Sequence, residues 1–565
     1  MSEEIGAKSQ VSRRDFLKGT AVGVAAVAGV GIMGGCASGD SEASWLPEKW
    51  DDETEVLVVG AGFAAQAAAI EAHDAGASVL MLEKAPEKFQ GGNSRVCGQG
   101  MAAPSKAIWD DYMAYLESLT AGLGFPVPEE HLRFWVEESS KNIEWFEGLG
   151  ATVIDDSVAF GGLMGGGKWI PFYPHKPGAD AVASEPTWYT VGGEYAGPSS
   201  NWRFLEDQIL ERKGIRKLFE TPAKKLIQDP VTKEILGVVA VSGGNEISIK
   251  ATKGVCVCAG GWEYNQQMVR DFQGIPVNYS IGSPYNTGDT IQMCWAAGAD
   301  LRNMSVIAAP CGLSAGILPG YESAQYVSQT PAKGGSITIG ANNKRWRDEY
   351  RVAAQGIQNK EKAGLEGAYT GTGQIVENGV YVRDKYPVPM HIIIDEEAKL
   401  SGSLFTLFAG MGWASGVEGY EPSPDNSKEL EMGWFVQADS IRELATKMGR
   451  DPDAVEETVN NWNESCASGE DLEWGRTGNL TPIAGSPVYA IECFPECLNT
   501  QGGMVRNTKS QVLDFDGNPI PRLYAAGENG DIWTWVYQCM SNVGAGCYGY
   551  GRVAGQNAAA EEPWG

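Results

Sequence analysis

Histidine is scarce in this chain. His73, His131, His175 and His391 are the only four in 565 residues, and they are widely scattered. That is a poor ligand set for zinc or non-haem iron, so no metal centre is expected. The 11 cysteines include no Cys-x-x-Cys-His haem attachment site and no iron–sulfur spacing. Cys256 and Cys258 fall in an apolar run, and most of the cysteines read as buried thiols. Cys493 and Cys497 are near enough in sequence to form a disulfide in an exported protein. Positive charge is also scarce: 44 Lys and Arg stand against 72 Asp and Glu, a net charge of −28. Nucleic acid, which needs a basic face, is excluded as a partner. Long apolar runs are missing as well. Residues 19–35 are the nearest to one, and this Gly/Ala-rich stretch is too short and weakly apolar to span a membrane comfortably.

That stretch has another reading. It follows Ser12-Arg13-Arg14-Asp15-Phe16-Leu17-Lys18, the pattern of a twin-arginine export signal, which carries folded proteins. Residues 1–36 are therefore expected to lie outside the fold, with 37–53 as a linker. Met33-Gly34-Gly35-Cys36 resembles a lipoprotein cleavage box with an unusual Met at its first position, which makes Cys36 a candidate lipid anchor. The expected location is the periplasm or the outer face of the cell membrane.

What the chain does have is a dinucleotide-binding unit. Glu55–Val59 is a short apolar run suited to a buried parallel strand, and Gly60-Ala61-Gly62-Phe63-Ala64-Ala65 follows it. Gly60 permits the tight turn, Gly62 lets backbone approach a pyrophosphate, and Ala65 lets the next helix pack on the strand. Residues 63–75 are helical in pattern, and the N-terminus of that helix would face the phosphates. Ser78–Leu82 reads as the next strand. Glu83 ends it, placed to accept hydrogen bonds from a ribose, and Lys84 follows. Gly91-Gly92-Asn93-Ser94 comes next. Far downstream the chain reads Leu523-Tyr-Ala-Ala-Gly-Glu528 and then Tyr550-Gly-Arg-Val-Ala-Gly555. One fold, opened near the start and closed near the end, accounts for both pieces and points to FAD. Candidate cofactor contacts are Gly60, Gly62, Ala65, Glu83, Lys84, Gly91, Gly92, Asn93, Ser94, Ala259 and Gly260 of the Ala259–Asn265 run, Asp289 of Asn286–Thr290, and Glu528.

The expected fold class is α/β: a Rossmann-like FAD-binding domain interrupted by an α+β capping domain. The first part is expected over 54–303, the cap over 304–483 and the second part over 484–565, with the flavin domain resuming at Pro487–Ile491. Asp451-Pro452 followed by Val455, Val459 and Trp462 predicts a capped helix with one apolar face.

With Lys344-Arg-Trp-Arg-Asp-Glu349 and Asn499-Thr-Gln-Gly-Gly503 added, the chain resembles the fumarate reductase/succinate dehydrogenase flavoprotein family over nearly all of 54–565. The resemblance is to the exported single-subunit branch, which includes the 3-ketosteroid dehydrogenases. It implies FAD, a mobile cap, and a substrate held between the two domains over the flavin ring. Some relatives attach FAD through a histidine near the Gly-Gly segment. Residues 90–100 contain none, so non-covalent FAD is expected.

The departures bear on substrate. In fumarate reductases a histidine just before the Thr-x-Gly-Gly segment and an arginine beyond the Gly-Glu pair grip the substrate's carboxylates. Asn499 and Gln538 stand at those places here, and a dianionic substrate would lose charge-assisted contacts. Tyr537-Gln-Cys-Met-Ser541 resembles the ketosteroid branch, where a tyrosine and the residue four places on hold a ketone oxygen. A packing role is the alternative for Tyr537. Trp533 and Trp535 alternate with it as wall or core. The family position of the proton donor falls on Ala353, leaving Tyr350 or Arg351 as nearest candidates. Arg345 and Glu349 are expected to stabilise the cap.

The resemblance thus implies reduction of a carbon–carbon double bond conjugated to a carbonyl. Hydride would pass from the flavin to the β-carbon, and a proton from Tyr350 or Arg351 to the α-carbon. The expected partners are a small organic electron acceptor and a membrane-linked cytochrome or quinol donor, as in anaerobic respiration. Alternatives are ketosteroid dehydrogenation in the reverse direction, a fumarate- or urocanate-type reductase, and a non-catalytic flavin carrier.

Overall fold

The apolar run after the linker forms the centre of a largely parallel sheet. Strand Asp52–Val59 lies between Val79–Leu82 on one side and Asn245–Val257 on the other, parallel to both. Ile215–Leu218 extends the sheet beyond 79–82. Strand Pro519–Ala525 joins 245–257 in parallel register, with Tyr524 opposite Cys256, so the C-terminal segment completes the sheet begun at residue 52. Antiparallel strands Ala223–Gln228, Ile235–Ser242 and Gln511–Leu513 finish eight strands. Helix Phe63–Asp74 is almost wholly buried, as its alanines require, and packs against helix Tyr550–Ala560. Glycine is needed at that crossing: a Cβ on Gly555 would fall 2.2 Å from the Ala68 carbonyl oxygen.

This computed structural model describes residues 45–118, 127–155, 188–305, 307–308, 313–317, 320–346, 348–349, 374–377, 380–383, 387–405, 412–496, 499–530, 532 and 542–564, and Trp45–Gly565 form one compact unit. Among the described residues no helix is long and apolar enough to cross a membrane.

A second, antiparallel sheet is built from Gln325–Tyr326, Leu313–Ala315, Val488–Pro495, Met390–Asp395 and Ser336–Ile339, with Phe435–Ala438 also on 488–495. This differs from the sequence expectation at one point. Pro487–Ile491 does not return to the flavin sheet: strand 488–495 pairs with 390–395 and 313–315 and is the centre of the second sheet. Asn499–Thr500 pairs with Ile307–Ala308, and the Thr500 hydroxyl, accepting the Trp262 N–H, brings the chain back to the flavin side. Cys493 lies on this strand as a free, fully buried thiol, so the disulfide considered for it is not formed, and Cys497 lies outside the described residues.

The predicted helix spans Pro452–Ser468, with the Asp451 carboxylate accepting from the Asp453 and Ala454 N–H groups. It buries Val455, Val459 and Trp462 against Ile337, Ile339 and Ile393 of the second sheet. Beside it lies a buried ion cluster. Glu349 accepts from Arg345 Nη2 at 2.8 Å and from Arg476 Nη1 at 3.3 Å, and Arg345 Nη1 also reaches Asp471 at 2.9 Å. Both guanidinium groups lie over the Trp462 ring, 4.6 and 4.7 Å from its centroid. Arg345 and Glu349 thus hold the second sheet's layer together.

Candidate functional site

The turn after strand 52–59 opens a cleft. Gly60, Gly62, Glu83, Lys84, Gly91, Gly92, Asn93, Ser94, Ala259, Gly260, Asp289 and Glu528 all line it. Ala65 does not. It is fully buried in the helix core, which is the packing role its small side chain suits.

The cradle leaves no room for side chains. Gly60 has φ +118°, and a Cβ there would lie 2.5 Å from the Cys258 carbonyl oxygen. A Cβ on Gly62 would lie 2.9 Å from Ser94 Oγ, which accepts the Phe63 N–H at the start of the helix. Gly91, at φ +106°, rests on the Trp202 indole, whose Nε1 donates to the Ala61 carbonyl. This cradle, a helix N-terminus and a terminal acid fit the diphosphate and ribose of a dinucleotide. Glu83 is 8% exposed; Oε1 accepts the Ala85 N–H at 2.7 Å, and burial holds the carboxyl above its ordinary range.

Other predicted contacts are partly spoken for within the protein. Lys84 Nζ pairs with Asp289 at 2.7 Å and donates to Thr287 Oγ1, tying strand 79–82 to helix Asp289–Ala296 across the cleft rim. Asn93 Oδ1 accepts the Ser283 N–H and its Nδ2 donates to Glu263. The Asn499 amide donates to the Glu528 carboxylate, joining the return loop to the closing turn. Tyr537, Ser541, Tyr350 and Arg351, with Gln538, Trp533 and Trp535, lie outside the described residues.

Several wall residues were not singled out from sequence. Phe89 and Tyr285 line the cleft, and the Trp413 ring lies against both, tilted to Phe89 and edge-on to Tyr285. Cys97, Cys258 and Cys547 also line it. Burial pushes the first two thiols up to about 12 and Cys547 well above its ordinary value, so they stay protonated. Glu263, behind the wall, is another. Its only sequence signal is a carboxylate set between aromatic residues in Gly260-Gly-Trp-Glu-Tyr264.

An interrupted dinucleotide fold with a second antiparallel sheet inserted, and a cleft shaped for a diphosphate, defines a flavoprotein oxidoreductase. The sequence profile of the FAD binding domain family matches residues 55–542, and the chain belongs to that family, among the fumarate reductase flavoproteins. It is similar to a digoxin reductase of Eggerthella lenta, 24% identical over 99% of each chain. Its fold matches a 3-ketosteroid Δ1-dehydrogenase of Sterolibacterium denitrificans bound to 1,4-androstadiene-3,17-dione, with TM-score 0.62 and 21% identity over 90% of this chain and 100% of the other. It also matches an open flavocytochrome c3 fumarate reductase, with TM-score 0.62 and 22% identity over 99% of this chain and 82% of the other. The protein is an FAD-dependent oxidoreductase acting on C=C or CH–CH bonds. A twin-arginine translocation signal matches residues 10–29, so the chain is exported by that route.

Proposed function

We propose that the protein reduces a carbon–carbon double bond conjugated to a carbonyl in a ring-bearing, or otherwise non-dicarboxylate, organic acceptor. One observation carries this reading. Asn499 stands where the family's fumarate reductases carry a carboxylate-gripping histidine, and its amide is turned onto Glu528. A neutral side chain already engaged with the closing turn brings no positive charge to a substrate carboxylate. Gln538 in place of an arginine removes the second grip. One relative is named for digoxin and one structural neighbour holds an androstadienedione; both compounds are ring-bearing and neither is a dicarboxylate.

FAD supplies hydride chemistry when bound. Gly60, Gly62 and the Gly91–Ser94 turn hold it, Glu83 accepts from its ribose, and no histidine in 90–100 is available to bond it covalently. Tyr537, supported by Ser541, donates a hydrogen bond to the carbonyl oxygen where negative charge develops. Tyr350 or Arg351 delivers the proton to the α-carbon. A membrane-linked cytochrome or quinol supplies electrons, and Cys36 is the point of lipid anchoring. The flavin segments 54–303 and 499–565 and the intervening cap, to which strand 488–495 belongs, enclose the substrate.

The test compares acceptors on flavin reduced anaerobically. Fumarate should reoxidise it far more slowly than a good uncharged enone; comparable rates would overturn the reading. Tyr537→Phe should lower turnover about 100- to 1000-fold with FAD content unchanged, and near-unchanged turnover would remove Tyr537 from catalysis.

A further inference from the structure

Glu263 is fully buried, yet among the described residues it forms no ion pair. What it does hold is three different segments of the cleft wall. Its Oε1 accepts from Asn93 Nδ2 at 2.8 Å, on the Gly-Gly turn, and from Asn286 Nδ2 at 2.7 Å, on the loop leading to Asp289. Its Oε2 accepts from Thr500 Oγ1 at 3.4 Å, on the return loop. The Thr500 hydroxyl already accepts the Trp262 N–H at 2.9 Å, so its own proton points at the ionised Glu263, while the neutral acid would donate its Oε2 proton back to Thr500 Oγ1. The junction is tight: a Cβ on Gly261 would lie 2.1 Å from Thr500 Oγ1 and 2.8 Å from Glu263 Oε2. Glu263 does not itself line the cleft, whereas Asn93 and Asn286 do.

We propose that Glu263 is a positioning residue of the flavin site, holding the three wall segments in register through Asn93, Asn286 and Thr500, and that FAD binding is coupled to its protonation. Removing the carboxyl would leave two amide donors and a hydroxyl without an acceptor beside the cofactor, a costly state for buried polar groups. The ionisable groups on the elements around it are Tyr264 beside it, Arg95 and Cys97 beyond Asn93, Tyr285 and the Lys84–Asp289 pair beyond Asn286, and Glu528 beyond Asn499. With no cation holding its charge, burial already lifts the carboxyl to about 7. FAD brings an anionic diphosphate and displaces water from the cleft, and both effects favour the neutral acid further. Binding therefore takes up a proton from solvent. By linkage the Kd rises with pH above about 7, by up to tenfold per pH unit, until the bound form also ionises.

The experiment titrates the refolded or deflavinated full-length protein with FAD, by quenching of flavin fluorescence, from pH 6 to 9 at fixed ionic strength. Wild type should lose affinity with rising pH. Glu263→Gln keeps a carbonyl acceptor for Asn93 and Asn286 but cannot titrate, so it should bind FAD with a flat profile. Glu263→Ala should bind at least tenfold more weakly than wild type at pH 6, where the carboxyl is protonated. A flat wild-type profile, or the wild-type slope persisting in Glu263→Gln, would overturn the coupling. Wild-type affinity in Glu263→Ala would overturn the positioning role. If the alanine variant does not fold by circular dichroism, the wild-type profile and Glu263→Gln decide the matter.

Discussion

Glu496 offers a sharp test of the packing described here. It follows strand 488–495, is 1% exposed, and its Oε1 has no hydrogen-bond partner among the described residues. Burial alone acts on it, and pushes the carboxyl from its ordinary 4.5 up to about 8. The sign follows directly. Between these two values the folded chain keeps a proton that the unfolded chain has released, so stability is highest in acid and falls as pH rises through the window, levelling above about 8. At about 1.4 kcal/mol per pH unit, the ceiling on this loss is about 5 kcal/mol. Relaxation and water entry reduce it to a few kcal/mol. Glu496→Gln removes the titration while keeping the size. In urea denaturation followed by tryptophan fluorescence from pH 5 to 9, the gap between variant and wild type should widen in the variant's favour up to about pH 8 and then level. Parallel profiles for the two proteins would refute the buried, proton-bearing carboxyl.

Gly60→Ala forces a Cβ to 2.5 Å from the Cys258 carbonyl at φ +118°, and should abolish FAD retention on purification; a yellow, fully loaded variant would contradict the cradle. Glu349→Ala removes the carboxylate shared by the buried Arg345 and Arg476, leaving Asp471 to balance both guanidinium charges, and should cost about 3–5 kcal/mol, read as a lower urea midpoint. Unchanged stability would mean the cluster is not dry. Asp451→Ala removes a carboxylate that accepts two N–H groups at the start of helix 452–468, and should cost about 0.5–2 kcal/mol in the same assay.

The parts of this fold that could be read from sequence are those in which the signal is local. The Gly60–Ala65 turn, strand 79–82 with Glu83 at its end, and the Asp451-Pro452 cap each place their determinants within a few residues of one another. Pro487–Ile491 was read as the point where the flavin domain resumes, and the neighbours of strand 488–495 were not foreseen. Its partners at 313–315, 390–395 and 435–438 are remote in the chain, and an apolar run does not say which sheet it joins. The site followed the same division. That Lys84 and Asp289 lie at the cleft could be foreseen; that they neutralise each other could not. Asn93 lines the cleft, as read from sequence, but that both ends of its amide are taken by Ser283 and Glu263 could not be foreseen. Glu263 is conspicuous only once its burial is known, because a lone carboxylate between aromatics is ordinary on a surface.

The central claim, reduction of a conjugated double bond in an acceptor that is not a dicarboxylate, is tested most directly by a single turnover. The protein's flavin is reduced anaerobically, excess reductant is removed, and a cyclic enone without carboxylate groups is added. The account predicts recovery of the oxidised flavin absorbance, with one molecule of enone per flavin gaining two hydrogens across its C=C bond by mass spectrometry. Flavin that stays reduced with every enone offered but is promptly reoxidised by fumarate, yielding succinate, would contradict it.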